Sequence, residues 1–271
     1  MSDFLKVLNE RTAAKHFDSA TPISVQEIQE LVSEACQAPS SFNIQHWRFI
    51  AVADERIRER LKDTTIAPNQ ERVANAPLIF LILGDLNAHK RLESILDDTV
   101  RVGLLAREVA DMWSTIANGM YGCDPRLARD EAIRSGSLAA TTLMFAAGNR
   151  GYVSCPIGFN PAQVMEILSV SDHCVPVMML TVGRPAGRNN ARRPRLPRPR
   201  GNRRGKVTDI MEIRKLNASG ISAFQAFLDS PTGDTPLPYP EAILTDPTYS
   251  DSIEPAVNIE HRGFSNRLEL A

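Results

Sequence analysis

The chain has 271 residues, 43% hydrophobic and 23% charged, which suits one globular domain of about 200 residues with an appendage, or two small domains. Its net charge of −1 argues against a chain-wide nucleic-acid or membrane-surface role, and apolar runs such as residues 77–83 fall far short of the roughly 20 residues of a membrane-spanning helix. The N-terminus lacks a basic region followed by an apolar one, and Cys36, Cys123, Cys155 and Cys174 form no CxxC pair. The expectation is therefore a cytoplasmic protein with reduced thiols, without a disulfide framework or a thiolate zinc site.

Residues 3–11 place Phe4, Leu5 and Leu8 on one helical face. Ser24 and Glu27 form a capping-box pattern, in which two side chains satisfy the orphan N–H groups of a first helical turn. Val25, Ile28, Leu31, Val32 and Ala35 then supply an apolar stripe, and Pro39 is expected to end that helix. Residues 47–53 (WRFIAVA) and 77–83 (PLIFLIL) read as inner strands, the second buried on both faces. Helical spacing runs through residues 92–118, and residues 132–148 predict another long helix. A short turn at residues 154–159 precedes a helix over 161–168 and a third strand over 175–183. This order predicts an α+β sandwich whose sheet is cased in helices.

After Gly183 the composition changes. Residues 184–206 hold nine Arg, one Lys and no acid, so the rest of the chain sums to about −11; residues 207–271 hold ten acids, four bases and six prolines. Residues 207–228 have a helical pattern. The prolines between 230 and 255 each remove a backbone donor and predict an extended or loosely ordered arm.

Three basic or polar stretches belong together chemically: Arg11 with Lys15, the loop PSSFNIQ at residues 39–45, and Arg193 with Arg195. Arginine forks fit phosphate oxygens, and hydroxyl and amide side chains suit a planar polar partner. Taken singly, each is ordinarily a solvated charge or a turn. His16, His46, His89, His173 and His261 lack metal-ligand spacing, so no metal is expected. Neither GxGxxG after a strand nor GxxxxGK[ST] occurs.

The stretches RTAAKHFD (11–18), APSSFNIQHWRF (38–49), APLIFLILGD (76–85), SCPIGFN (154–160), the strand ending at Gly183 and RPRLP (193–197), taken in order, resemble the nitroreductase family of FMN-dependent oxidoreductases. The resemblance implies a nitroreductase-like sandwich with a mostly antiparallel central sheet over residues 1–200, followed by an irregular C-terminal extension over 201–271. It implies FMN as cofactor, NADH or NADPH as donor, a small organic acceptor, and a homodimer with FMN at the subunit interface. Arg11, Arg193 and Arg195 would bind the FMN phosphate, and Lys15 would lie against the polar edge of the ring. Ser40, Ser41 and Asn43 would reach the flavin of the other subunit. Asn69 and Arg72 would lie near the pyrimidine edge and ribityl chain. Pro156, Ile157 and Gly158 would cross the other ring face. Lys15 and Arg72 would tune the flavin electrostatically, with no protein acid or base required.

Departures from the family pattern are Ala13 in place of a hydroxyl, His46 where Pro commonly precedes the Trp, and a PIGF turn one residue shorter than PIEGF. Trp113 and Tyr121 suit a substrate pocket or a dimer core equally, and Cys155 is read as a small buried hydrophobe. A competing reading makes the flavin fold a scaffold whose Arg-rich stretch and acidic tail bind nucleic acid or a protein partner. The stretch has no aromatic interleaving, so nucleic acid is not the expected ligand.

Overall fold

In the computed structural model, which describes residues 3–195 and 268–270, the capping box forms as its spacing predicts. Glu27 N donates to Ser24 Oγ (3.2 Å) and Ser24 N donates to the Glu27 carboxylate (3.0 Å), starting helix α2 (Val25–Ala35). This helix stops at Ala35, before Pro39, and buries Ile28, Leu31, Val32 and Ala35. Helix α1 (Asp3–Glu10) precedes it, with Phe4 edge-on to Phe145 at 5.9 Å.

Strand β1 (Trp47–Val52) pairs antiparallel with β2 (Leu78–Asp85), and β2 pairs antiparallel with β4 (Cys174–Gly183). Strand β3 (Val153–Ile157) pairs antiparallel with β4. The segment expected as a turn at 154–159 is thus mostly strand. Pro156 is accommodated because β3 is an edge strand, beside β4 alone, where a missing N–H leaves no ladder bond unmade. The last strand, β5 (Leu268–Leu270), runs parallel to β1, with Phe49 opposite Leu268. The sheet is therefore mostly antiparallel.

Every residue of β2 is buried, because helices cover both faces of the sheet. On one face Phe49, Ala51, Phe80 and Ile82 meet α2 and helix α7 (Pro125–Asn149) through Ala139, Ala140 and Leu143. On the other, Ile50, Val52, Ile79 and Leu81 meet Leu61 of helix α3 (Glu55–Lys62), Val73 of helix α4 (Ala67–Asn75) and Val164 of helix α8 (Pro161–Ile167). Fully burying each large aliphatic side chain stabilises by about 2 kcal/mol. Helix α7 crosses β2 closely: a Cβ at Gly84 would lie 2.7 Å from the Ala132 carbonyl oxygen, so no larger residue fits there.

The helical stretch at 92–118 is two helices, α5 (Leu92–Arg101) and α6 (Arg107–Cys123), broken near Gly103, whose φ of +78° ends the first. Helix α7 starts at Pro125, seven residues before the predicted 132, because the Asp124 carboxylate caps the N–H groups of Arg126 and Leu127. Helices α3 and α4 have no counterpart in the sequence reading.

These elements lie in one of two units, residues 1–193 with 265–271; the other spans 194–264. The helical pattern at 207–228, the proline-rich arm and residues 196–206 of the Arg-rich stretch lie outside the described residues. Among the described residues no helix is long and apolar enough to cross a membrane.

Candidate functional site

Leaving α1, the chain runs extended beside the outer edge of β3. Ala14 N donates to Ser154 O (3.0 Å), and Ala13 bridges Ser154 in a parallel sense. This pairing carries Arg11 and Lys15 to β3. From the other side, Asn189 grips the same segment. Its Oδ1 accepts from the backbone N–H groups of Lys15 (2.7 Å) and His16 (2.9 Å), and its Nδ2 donates to His16 O (3.1 Å). Asn190 Nδ2 donates to Ala13 O (2.9 Å). An amide side chain here substitutes for a strand partner, satisfying donors that the β3 ladder does not reach.

The link between α3 and α4 docks just past the end of β3, where Asn160 N donates to Thr64 O (2.8 Å) and Thr65 bridges Phe159. Helix α4 then presents Asn69 and Arg72 one turn apart, with Arg72 Nη1 donating to Asn69 Oδ1 (2.6 Å). Burial pushes the Cys155 thiol up, opposed by the nearby positive charges of Arg72 and Arg11. Cys155 is 3% exposed and belongs to the core, in keeping with its reading as a hydrophobe. Pro156 is exposed, the Ile157 side chain is buried, and a Cβ at Gly158 would meet open space. Arg11, Lys15, Asn69, Arg72 and residues 156–158 thus gather around β3.

The loop carrying Ser40, Ser41 and Asn43 lies elsewhere in the chain. It enters β1, which β4 and β2 separate from β3, and it packs through Ile44 and Phe42 on α5 and α6. Phe42, Asn43 and Gln45 all have left-handed φ (50°, 54° and 56°). Side chains hold this loop: Gln45 N donates to Ser40 Oγ (2.9 Å), Arg91 Nη2 donates to Gln45 O (3.2 Å), and Tyr121 Oη donates to the Ser41 side chain at Oγ (2.8 Å). Trp113 lies edge-on to Phe42 at 5.9 Å, and Tyr121 is buried beside His46. Both aromatics therefore support the loop.

His46 lies beneath the loop, its Nδ1 3.4 Å from Ser135 Oγ, which donates to Glu131 (2.8 Å). Burial lowers its pKa to about 4, against the opposing pull of Glu131 and Asp85. Burial pushes the Asp85 carboxyl up, but hydrogen bonds from Arg91 and Arg48 outweigh it and hold the group below its ordinary value.

Arg193 and Arg195 are exposed; Arg193 ends the first unit and Arg195 falls in the second. Asn189 and Asn190 escaped the sequence reading, whose only signal for them was an Asn pair just before the arginines. Among the described residues no group of three or more His, Cys, Asp or Glu is placed to hold a metal.

The chain belongs to the nitroreductase family, whose model matches residues 8–184. It is 35% identical over 194 residues to YodC of Bacillus subtilis, a protein named for NAD(P)H nitroreductase activity, spanning 70% of this chain and 95% of that one. A nitroreductase from Exiguobacterium sibiricum, crystallised in complex with FMN, shares 30% identity and a TM-score of 0.65 over 72% of this chain and 94% of that one. A Staphylococcus epidermidis protein described as an NAD(P)H:FMN oxidoreductase superposes with a TM-score of 0.68 at 28% identity, covering 73% of this chain and 93% of that one.

Proposed function

We propose that this chain carries reducing equivalents from NADH or NADPH through FMN to a small organic acceptor of the nitroaromatic, quinone or enone type. As a member of the nitroreductase family it is an FMN-dependent NAD(P)H oxidoreductase. The observation that carries the site assignment is the pairing of the Arg11–Lys15 segment along β3 through Ala14 N and Ser154 O, with Arg72 of α4 close enough to Cys155, in the middle of that strand, to oppose the effect of burial on its thiol.

The residues present fit FMN. Arg72 Nε is buried without a partner, so a donor there lacks its acceptor. Exposed Pro156 and the open space at Gly158 leave room at the end of β3 for a planar ring. Arg11 and Arg193 would hold the phosphate through charge-assisted hydrogen bonds. Asn69 would bond the pyrimidine edge and ribityl chain, and the backbone at residues 156–158 would run along the opposite ring face. The flavin, once bound, supplies the hydride chemistry. Lys15 and Arg72 favour its more negative reduced state, because a fixed cation near the ring edge stabilises added charge without reorganisation.

Two copies of the chain complete the site. The loop of Ser40, Ser41 and Asn43 packs on α6 through Phe42 and Ser41, and these residues serve the flavin of the second copy. The exposed apolar side chains Phe4, Leu5 and Leu8 on α1, and Met112 and Ile116 on α6, support such an interface.

The test is an absorbance spectrum of the purified chain supplied with FMN, followed by anaerobic NADPH and, separately, NADH. Near-stoichiometric flavin bands that bleach with either donor, and recover on adding an acceptor of one of the three types, are expected. A chain that stays colourless and does not retain FMN refutes the assignment.

A further inference from the structure

Loop 40–46 holds three consecutive-turn residues, Phe42, Asn43 and Gln45, in the left-handed region without a glycine among them. Such a conformation costs roughly 1 kcal/mol or more per residue and persists only where the surroundings over-determine it. Local hydrogen bonds, Asn43 N to Ser40 O and Ile44 N to Ser41 O (both 3.0 Å), shape the turn but do not anchor it. The anchors come from distant elements. Ile44 is fully buried in the α5–α6 cluster, Arg91 holds Gln45 O, and Asp85 N donates to His46 O (2.6 Å). One anchor ends on a side chain of the turn itself: Tyr121 of α6, 80 residues away, donates to the half-buried Ser41 Oγ at 2.8 Å.

That bond has a directional consequence. Ser41 Oγ accepts from Tyr121, so the bond fixes the position of the oxygen and leaves the Ser41 hydrogen able to donate elsewhere. The Tyr121 ring is wedged between Phe42 (6.5 Å, edge-on) and His46 (5.5 Å, edge-on), which fixes where its oxygen sits. Burial raises the Tyr121 phenol further above neutrality, so it stays a donor at working pH.

We propose that Tyr121 is a positioning residue of the flavin site, setting the Ser41 hydroxyl as a donor to an acceptor atom of the flavin held by the second copy. The proposal rests on the assignment of Ser41 to that site. Tyr121 itself touches neither flavin nor substrate; it acts through Ser41. Helix α6 thereby connects to cofactor affinity through one hydrogen bond, while Trp113, on the same helix, braces the neighbouring Phe42.

The experiment is a double-mutant cycle on FMN affinity, with Tyr121→Phe, Ser41→Ala and the double variant in the full-length chain. FMN affinity is followed by quenching of flavin fluorescence, and the visible circular dichroism of bound FMN reports its surroundings. Loss of one such bond predicts affinity lower by about fivefold in each single variant, and a double variant no weaker than Ser41→Ala alone. The Tyr121→Phe spectrum should change in the same sense as that of Ser41→Ala, a response that a purely structural role would not give. Wild-type affinity and dichroism in Tyr121→Phe, with Ser41→Ala impaired, would overturn the proposal and leave the Ser41 assignment standing; additive losses would also overturn it. If Ser41→Ala binds FMN as the wild type does, the assignment of Ser41 falls and the proposal with it. Should Tyr121→Phe not fold, Tyr121→Leu and Ser41→Ala, each of which removes the bond, still give the comparison, with equal losses expected and unequal dichroism overturning it.

Discussion

Lys15 and Asn189 are 174 positions apart, yet the Lys15 backbone N–H donates to the Asn189 side-chain oxygen at 2.7 Å. The same oxygen takes the N–H of His16, and the Asn189 amide nitrogen returns a bond to His16 O. One side chain therefore sets the path of the segment that carries Lys15 and Arg11.

Asn189→Ala removes three bonds at once and should weaken FMN binding by about tenfold, with a stability loss of about 2 kcal/mol. Asn189→Asp keeps the acceptor for both N–H groups and loses only the donor to His16 O, so it should fall between alanine and wild type. Fluorescence titration with FMN and chemical unfolding of both variants check this ordering.

Why this clamp was invisible in the sequence, while α2 was not, follows from the range of the interactions. Ser24 and Glu27 are three residues apart, so their capping box is written locally, and the apolar stripe that follows has the period of a helix. The β2 run LIFLILGD signals burial by composition alone. Helix α3 (ERIRERLK) buries only Leu61, and α4 only Val73, so neither carries a stripe. The left-handed turn at Phe42, Asn43 and Gln45 contains no glycine to announce it, and its anchors on Tyr121 and Arg91 are long-range contacts. The residues gathered round β3 were legible only through resemblance to a family, since nothing local in Arg11, Asn69 or Arg72 indicates that they converge.

Lys15→Met and Arg72→Gln should each make the bound flavin harder to reduce. A cation that favours the reduced state by ~1 kcal/mol corresponds to ~20 mV in a two-electron potential. Each variant should therefore show a midpoint potential lower by tens of millivolts in a redox titration. An unchanged potential for both removes their electrostatic role.

Acid should destabilise the protein in two separate windows. His46 is held neutral, its pKa lowered by burial to about 4 from an unfolded value near 6.5, so the unfolded chain binds the proton first. Stability is complete above pH 6.5 and is lost as pH falls towards 4, by about 3 kcal/mol at most. Glu27 is lowered to about 2 by its hydrogen bonds from Tyr152 and Ser24, so its contribution is present above about 4.5 and disappears as pH falls through 2. His46→Leu should flatten the first window and leave the second; Glu27→Gln should do the reverse. Unfolding free energies measured between pH 7 and pH 2.5 check both.

Asp85 is 1% exposed and accepts from Arg48 and Arg91, the second of which also holds Gln45 O. Asp85→Asn leaves two guanidiniums without their anion and should cost about 3 kcal/mol. Because Arg91 loses its fixed position, FMN affinity should fall as well. Arg48→Ala removes a half-exposed partner that does not touch the loop, so it should be milder in stability and neutral for FMN. Paired unfolding and FMN titrations of the two variants separate these effects.

The proposal that two copies build the site is tested most directly by mixing two defective chains. One carries Arg11→Ala and Arg72→Ala, the other Ser41→Ala and Asn43→Ala, and each double variant alone should lose FMN on desalting at a protein concentration where the wild type retains it. In a mixed dimer one site gathers both defects and the other none. Co-expression with two different affinity tags, followed by tandem purification, should yield dimers holding close to one FMN per two chains. Mixed dimers that retain no more FMN than either parent would contradict a site built from two copies.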